Sequence, residues 1–273
     1  MRQTSVLASL AILALTAPSS AETMLERGSY LVNTLAACAN CHTSRTPRGP
    51  ALAGGSKFGN GPTSVYAPNI TPDKETGIGA WSDQQIAAAI HDGVRPDGSR
   101  LRAPMPQSAY RSISDADTRA IVAYLRSTES VHNFVPRTTP ADQVLGESPV
   151  EVPVPGPLNN AVARGRYIAT ALSHCTECHT PALSSAPDAI RHLDEGGRIF
   201  QGPRGPVTAP GITAQRLSRY TDDQLASIIT AGLLPDGRRI EGPMPVKAYA
   251  GISRPDLADL IAFLRDPPPE TSK

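Results

Sequence analysis

Apolar residues recur at helical spacing in two matching parts of the chain. A hydroxyl residue followed by an acid, at Ser82 and at Thr221, precedes each run, and a glycine, Gly93 or Gly232, follows it. These are typical start and stop signals of a helix. The apolar positions of the two runs are Ile86, Ala89 and Ile90 in the first and Leu225, Ile228 and Ile229 in the second. The pattern therefore predicts the same helix twice.

Two further helices are predicted in each part. One leads into a Cys-rich segment, and the other runs from near Ser114 to near Ser127, or from near Ser253 to near Asp266. Pro-Asp-Gly turns and long loops rich in Gly and Pro connect these helices. Because no segment shows the alternation typical of a strand, the predicted fold class is all-α with no strands.

The matching parts belong to an internal repeat. The paired segments are Arg27–Tyr30 with Arg164–Tyr167, Ala67–Thr71 with Ala209–Thr213, Trp81–Ile86 with Tyr220–Leu225, Pro104–Pro106 with Pro243–Pro245, and Ile121–Arg126 with Leu260–Arg265. We therefore predict two domains in tandem, residues 22–130 and 159–273. Residues 131–158 contain six prolines and are predicted to form a semi-stiff, extended linker.

Residues 1–21 have the pattern of a secretory signal peptide. Arg2 precedes an apolar run, Val6–Leu15, and small residues lead to a predicted cleavage site near Ala21. The alternative, a membrane anchor, would need about 20 apolar residues. We expect a periplasmic protein without a transmembrane anchor in the mature chain, and association with the inner-membrane surface stays open.

The composition argues against one class of partner and makes a large cofactor a candidate. The formal charge of the 273-residue chain is only +1, which argues against a nucleic-acid partner. Aromatic residues make up 4% of the chain, whereas Pro and Gly number 27 and 22. Two domains with so few rings would have thin cores, and a large cofactor is one candidate to fill them.

All four cysteines lie in two Cys-x-x-Cys-His segments. Cys38, Cys41 and His42 form the first segment, and the second consists of Cys175, Cys178 and His179. This is the attachment pattern of c-type haem, in which two thiols form thioethers and the histidine is the proximal iron ligand. A thioredoxin-like redox pair, a zinc site and chance recurrence are the alternatives. We expect two covalently bound haem c groups.

The second iron ligand is predicted from two matching Pro-Met-Pro loops. Met105 and Met244 follow their histidines by 63 and 65 residues, and each lies between two prolines. Proline stiffens such a loop, and the thioether of methionine is a common second ligand of c-type haem. The alternative is that both methionines fill a core. Met24, near the mature N-terminus, is not a candidate.

Other charged residues are weaker candidates. Four arginines precede the methionines and are candidates to pair with haem propionates, or else are solvated: Arg100, Arg102, Arg238 and Arg239. Four histidines have no partner in the other half and are interpreted as surface or supporting residues rather than ligands: His91, His132, His174 and His192.

The segment from Ala67 to Met105, with the later Ile121–Ser127, resembles the cytochrome c subunits of membrane-associated bacterial alcohol and gluconate dehydrogenases. The resemblance implies class I cytochrome c folds with His and Met axial ligands. It also implies electron passage from a dehydrogenase subunit to quinone or a terminal oxidase. This chain has two Cys-x-x-Cys-His segments, whereas those subunits typically have three.

We therefore expect an electron carrier rather than an enzyme. The donor would be a dehydrogenase subunit of flavin, quinoprotein or molybdenum type, and the acceptor another cytochrome, quinone or oxidase. The alternative is a dihaem peroxidase, which requires an iron with an open coordination position. A sulfur-oxidising enzyme with a Cys ligand is excluded because no cysteine is left over. A haem-free interaction module would leave both Cys-x-x-Cys-His segments unused.

Overall fold

The computed structural model describes residues 22–45, 47–59, 64–101, 103–137, 158–181, 192–202 and 205–266. The predicted signal peptide, most of the predicted linker, Arg102 and residues 267–273 lie outside these ranges. None of the helices within them has the length and apolar character needed to cross a bilayer.

Helices dominate both halves, as predicted. In the first half they are Met24–Tyr30, Ala39–His42, Asp83–His91, Gln107–Tyr110 and Asp115–Ser127. In the second half they are Ala161–Tyr167, Cys175–His179, Ala214–Leu217, Asp222–Ala231, Val246–Tyr249 and Arg254–Arg265. The first helix of each half continues into one π-helical turn, Leu31–Leu35 or Ile168–Leu172. Hereafter the first and last helices of each half are its leading and closing helices.

The predicted helix ends are confirmed because they depend on local hydrogen bonds. Ser82 and Thr221 form capping boxes with Gln85 and Gln224. In each box, the side chain of either residue accepts a hydrogen bond from the backbone amide of the other. The closing helices begin after Ser114 and Ser253, as the sequence predicts. Gly93 and Gly232 end the middle helices with φ of 64° and 62°, a conformation that favours glycine.

The prediction that the chain has no strands is wrong. Lys57–Phe58 pairs antiparallel with Val65–Tyr66, and Ile199–Gly202 pairs antiparallel with Gly205–Thr208. The first pair is too short to show alternation. The second lies on the surface, with Ile199 64% exposed, so its sequence needs no apolar face. Both hairpins belong to the long loops after the Cys-x-x-Cys-His segments.

A glycine lets the leading and closing helices of each half cross closely. A Cβ atom at Gly28 would lie 2.0 Å from the carbonyl oxygen of Ala120, and one at Gly165 would lie 1.9 Å from that of Asp259. One residue earlier, Arg27 and Arg164 form bidentate ion pairs with aspartates of the closing helices. This explains why Arg-Gly occurs in both copies of the repeat.

The two halves contact each other through two exchanged tyrosines, each of which bonds to the closing helix of the other half. The hydroxyl of Tyr30 donates to Asp256 at 2.7 Å and accepts from the amide of Ser253. The hydroxyl of Tyr167 correspondingly donates to Asp117 at 2.8 Å and accepts from the amide of Ser114. Each leading helix thus binds the N-terminus of the other half's closing helix, an arrangement with approximate two-fold symmetry. Buried side chains from both halves form one hydrophobic core.

The start of the predicted linker packs against the first half. The carbonyl of Val131 accepts from the side chains of Asn69 and Thr71, and the side-chain amide of Asn133 donates to Ala53. These contacts hold the chain after the closing helix beside the loop that follows the first Cys-x-x-Cys-His segment.

Candidate functional site

Each Cys-x-x-Cys-His segment forms about one helical turn. In the first, the amide of His42 donates to the carbonyl of Cys38 at 2.8 Å. In the second, one helix includes both cysteines and His179. No disulfide joins any of the four cysteines. A single turn therefore presents two thiols and an imidazole from adjacent positions, which is the donor set that the sequence predicts.

Burial keeps these thiols protonated. It raises the pKa of Cys38 and of Cys175 to about 12, and the pKa of Cys178 to about 11. The pKa of Cys41 is raised for the same reason. Such groups are not the low-pKa nucleophiles of a thioredoxin-like pair. The environment favours the alternative in which the sulfurs serve as attachment points.

A proline carbonyl determines which nitrogen of each histidine is free. Nδ1 of His42 lies 2.8 Å from the carbonyl oxygen of Pro68, and Nδ1 of His179 lies 2.7 Å from that of Pro210. A carbonyl oxygen only accepts, so Nδ1 carries the hydrogen and Nε2 keeps its lone pair. Burial also lowers the pKa of both histidines, which keeps the rings neutral. Each imidazole therefore presents Nε2 as a metal donor.

A glycine lets each proline-bearing loop approach its histidine. The amide of Gly54 donates to the carbonyl of His42, and the amide of Gly196 donates to that of His179. A Cβ atom at Gly54 would lie 2.5 Å from the carbonyl carbon of Pro68, and one at Gly196 would lie at the same distance from that of Pro210. Both glycines have positive φ. Only glycine tolerates both the positive φ and the close approach of the proline carbonyl.

A tyrosine ties each Pro-Met-Pro loop to its Cys-x-x-Cys-His segment. Five residues after Met105, the hydroxyl of Tyr110 donates to the carbonyl of Ala36. Five residues after Met244, the hydroxyl of Tyr249 donates to the carbonyl of Ser173. Both acceptors lie two residues before the first cysteine of their half. The two methionines are half-buried against the core, whereas Met24 is 55% exposed.

These donors fit a c-type haem. Such a haem uses two thiols within one helical turn, an imidazole with a free Nε2 and a thioether. Here the loop that bears the thioether is tied to the same turn. Nδ1 of each histidine is held by a carbonyl, as is typical of metal-ligating imidazoles. The chemistry of the donor set therefore agrees with the sequence prediction in both halves.

The two Cys-x-x-Cys-His segments are neighbours across the contact between the halves. The negative charge of Glu177 in the second segment contributes to the raised pKa of Cys41 in the first. The ring of His174, next to Cys175, meets the ring of Tyr110 edge-on, with centroids 5.7 Å apart. The contact between halves thus brings both donor sets to one region of the molecule.

The other sequence candidates have different partners. Arg238 pairs with Asp236, while Arg100 and Arg239 donate to backbone carbonyls in their own halves. Nε2 of His91 contacts Thr118 at 2.7 Å. His132 lies near two acids, Asp73 and Glu75, and His192 pairs with Glu195. Arg102 lies outside the described residues.

Sequence reasoning missed the supporting groups. It aligned Pro68 with Pro210 but gave their carbonyls no role, because a backbone acceptor leaves no signature of its own. It also did not single out Tyr110 and Tyr249, although both follow their methionine by five residues. That repeated spacing is the signal that could have found them.

Comparison with known proteins is consistent with this site. Residues 25–129 match the family model of cytochrome c. The chain is 30% identical over 259 residues to a nicotinate dehydrogenase subunit of Pseudomonas putida, covering 88% of this chain and 21% of that protein. It is 30% identical to the fructose dehydrogenase cytochrome subunit of Gluconobacter japonicus, covering 89% and 52%. It is 28% identical to a diheme cytochrome c-type protein of Cereibacter sphaeroides, covering 85% and 82%.

This chain therefore spans about half, or less, of the first two of these relatives. The match to the diheme protein covers most of both chains and extends over both halves of the repeat.

Proposed function

We propose that this chain, whose residues 25–129 match the family model of cytochrome c, is a dihaem electron carrier. Two tandem cytochrome c-like domains, residues 22–130 and 159–273, would each hold one covalently bound haem c, with residues 131–158 as the linker. The observation that carries the proposal is the hydrogen bond from Nδ1 of a histidine to a proline carbonyl, made in both halves.

The residues have distinct roles in the proposal. Cys38, Cys41, Cys175 and Cys178 would attach the two haems, His42 and His179 would ligate the irons through Nε2, and Met105 and Met244 would be the opposite ligands. When bound, haem c supplies a one-electron iron couple whose potential a thioether ligand raises. Pro68 and Pro210 fix the orientation of the imidazoles, and Tyr110 and Tyr249 hold the methionine loops near the attachment turns.

The contact between the halves supports electron passage within the chain. Glu177 lies close enough to Cys41 for its charge to affect the pKa of that thiol, although the two residues belong to different halves. The exchanged Tyr30 and Tyr167 hydrogen bonds fix this arrangement. Because both donor sets lie beside the same contact, an electron accepted at one would reach the other without leaving the protein.

We infer the partners from the relatives' names. Fructose, gluconate and quinone-dependent alcohol dehydrogenases all have cytochrome subunits similar to this chain. A dehydrogenase of flavin, quinoprotein or molybdenum type is therefore the proposed donor, and another cytochrome, quinone or oxidase the acceptor. The proposed compartment is the periplasm, reached through the signal peptide of residues 1–21.

The test is a haem count combined with ligand variants of the holoprotein. We expect two covalently bound haems per chain, and a sulfur-to-iron charge-transfer band in the oxidised spectrum. Met105→Leu and Met244→Leu should each remove about half of that band, because each takes one thioether ligand away.

Met24→Leu is the matched control, since Met24 is exposed and far from both loops in sequence, and it should leave the band intact. Fewer than two haems per chain would overturn the dihaem proposal. A resting haem that is high-spin and reacts with peroxide would instead indicate the peroxidase alternative.

A further inference from the structure

Leu52 and Asp194 occupy equivalent places in the two halves. The amide of Leu52 donates to Thr43 Oγ1 and its carbonyl accepts from the amide of Ile70. The amide of Asp194 likewise donates to the threonine hydroxyl after the histidine, and its carbonyl accepts from the amide of Ile212. Both residues have left-handed φ, 60° and 62°. The backbone of this one residue is therefore held in the same way in both halves, and its side chain differs.

The side chains at this place have opposite chemistry. Leu52 is 3% exposed and belongs to the hydrophobic core. Asp194 carries a carboxyl whose Oδ1 is buried and has no hydrogen-bond partner among the described residues. Its negative charge contributes to the raised pKa of Cys175, so the carboxyl lies beside the second attachment turn. A buried carboxyl oxygen without a hydrogen-bond partner disfavours the ionised form, although the residue as a whole is only half-buried.

Charged neighbours do not compensate Asp194 within the described ranges. The adjacent Glu195 pairs with His192, and Arg198 donates to the carbonyl of Glu177. Burial alone raises the pKa of Asp194, to about 7. The carboxyl is thus free to change its protonation state near neutral pH.

We propose that Asp194 takes up a proton when the second haem is reduced and releases it when that haem is oxidised, whereas Leu52 leaves the first haem without such a group. This inference rests on the proposed function, because it requires a haem in each half. It assigns the two haems different electrostatic surroundings at equivalent backbone positions.

The proposed coupling balances charge. Asp194 binds one proton from water as one electron arrives from the reductant, which is the reduced dehydrogenase in the cell or a redox mediator in the test. No bond to iron or sulfur forms or breaks, and oxidation reverses both transfers. An ionised carboxylate in a buried site favours the more positive, oxidised state. The second midpoint potential should therefore fall as pH rises.

The test is a spectroelectrochemical titration of the holoprotein at pH values on both sides of 7. We expect one of the two midpoint potentials to fall as pH rises and the other to stay constant. Asp194→Asn, nearly isosteric, should raise the pH-dependent potential at high pH and flatten it. The reciprocal Leu52→Asp variant should bring pH dependence to the other potential.

Infrared difference spectra between the oxidised and reduced protein give a second readout. The carboxylic acid C=O band that appears on reduction should be absent from Asp194→Asn. If Asp194→Asn has two haems and keeps the wild-type pH dependence, the inference is wrong and the proposed function stands. If the wild-type chain holds no second haem, both fail.

Discussion

Beside its Cys-x-x-Cys-His segment, the first half buries Ala37 and Leu52, where the second half has His174 and Asp194. All four positions have positive φ, between 41° and 62°. Strained backbone is thus repeated with side chains of different character, and burial lowers the pKa of His174 while it raises that of Asp194. The two halves share this backbone arrangement and its hydrogen bonds, hereafter their frame. A few side chains beside it give each half different electrostatics.

The most disruptive way to compare the frames is to add a methyl group where the leading and closing helices cross. We expect Gly28→Ala and Gly165→Ala each to lower the free energy of unfolding by about 3 kcal/mol, because overpacking forces the helices apart. The new Cβ atoms would lie 2.0 Å and 1.9 Å from backbone oxygens, so the two halves should respond alike. Denaturant unfolding of the holoprotein measures the loss.

Gly98→Ala is the control for this experiment. Gly98 has φ of 78° and open space around its Cα, so the substitution adds strain without a clash. We expect it to cost about 1 kcal/mol. If either helix-crossing variant costs no more than this control, the close approach is not essential in that half.

The exchanged tyrosines should reveal a difference between the halves. We expect Tyr167→Phe to cost about 2 kcal/mol and Tyr30→Phe about 1 kcal/mol, since each removes one hydrogen bond to a carboxylate and leaves a backbone amide without its partner. Asp117 keeps its ion pair with Arg27 in the first variant. Tyr167 is only 5% exposed, so water cannot replace its hydroxyl, whereas Tyr30 is half-buried. Denaturant unfolding measures both losses. Equal losses would show that burial does not separate the two contacts.

The double variant tests what the exchange does. With both hydroxyls removed, the halves should unfold in two steps rather than one, because the hydrogen bonds that link the leading helix of each half to the closing helix of the other are gone. Haem absorbance together with far-ultraviolet circular dichroism would detect the separation. A single transition in the double variant would place the coupling in the shared hydrophobic core instead.

The sequence predicts well those features that depend on residues close together in the chain. Ser82 and Thr221 cap their helices through residues three positions away, and Gly93 and Gly232 end them with positive φ. The same holds for the Cys-x-x-Cys-His turns, in which one helical turn contains the whole pattern. Such signals need no knowledge of the tertiary structure.

The features that sequence did not predict depend on contacts distant in the chain. Tyr30 and Asp256 are 226 residues apart, so a shared Arg-Gly-x-Tyr pattern cannot indicate that each tyrosine binds the other half. Asp194 stands in a polar run, Asp-Glu-Gly-Gly, that is typical of an exposed loop. Its equivalence to the core residue Leu52 becomes evident only when the backbone hydrogen bonds of the two residues are compared.

The smallest expected difference concerns the exposed ion pairs at the start of the middle helices. Asp83 and Asp222 are 74% and 71% exposed, and each accepts from an arginine of its closing helix at 3.0 Å. Those arginines, Arg126 and Arg265, also donate to backbone carbonyls, so they stay in place without the acid. Asp83→Asn and Asp222→Asn should each cost less than about 0.5 kcal/mol in low salt, and less still in high salt.

Denaturant unfolding at two salt concentrations measures this loss of stability. Arg126→Met is the comparison, and it is expected to cost more because it also leaves the carbonyls unpaired. A loss above about 1 kcal/mol in only one half would show that the frames differ at their surface as well as in their buried side chains.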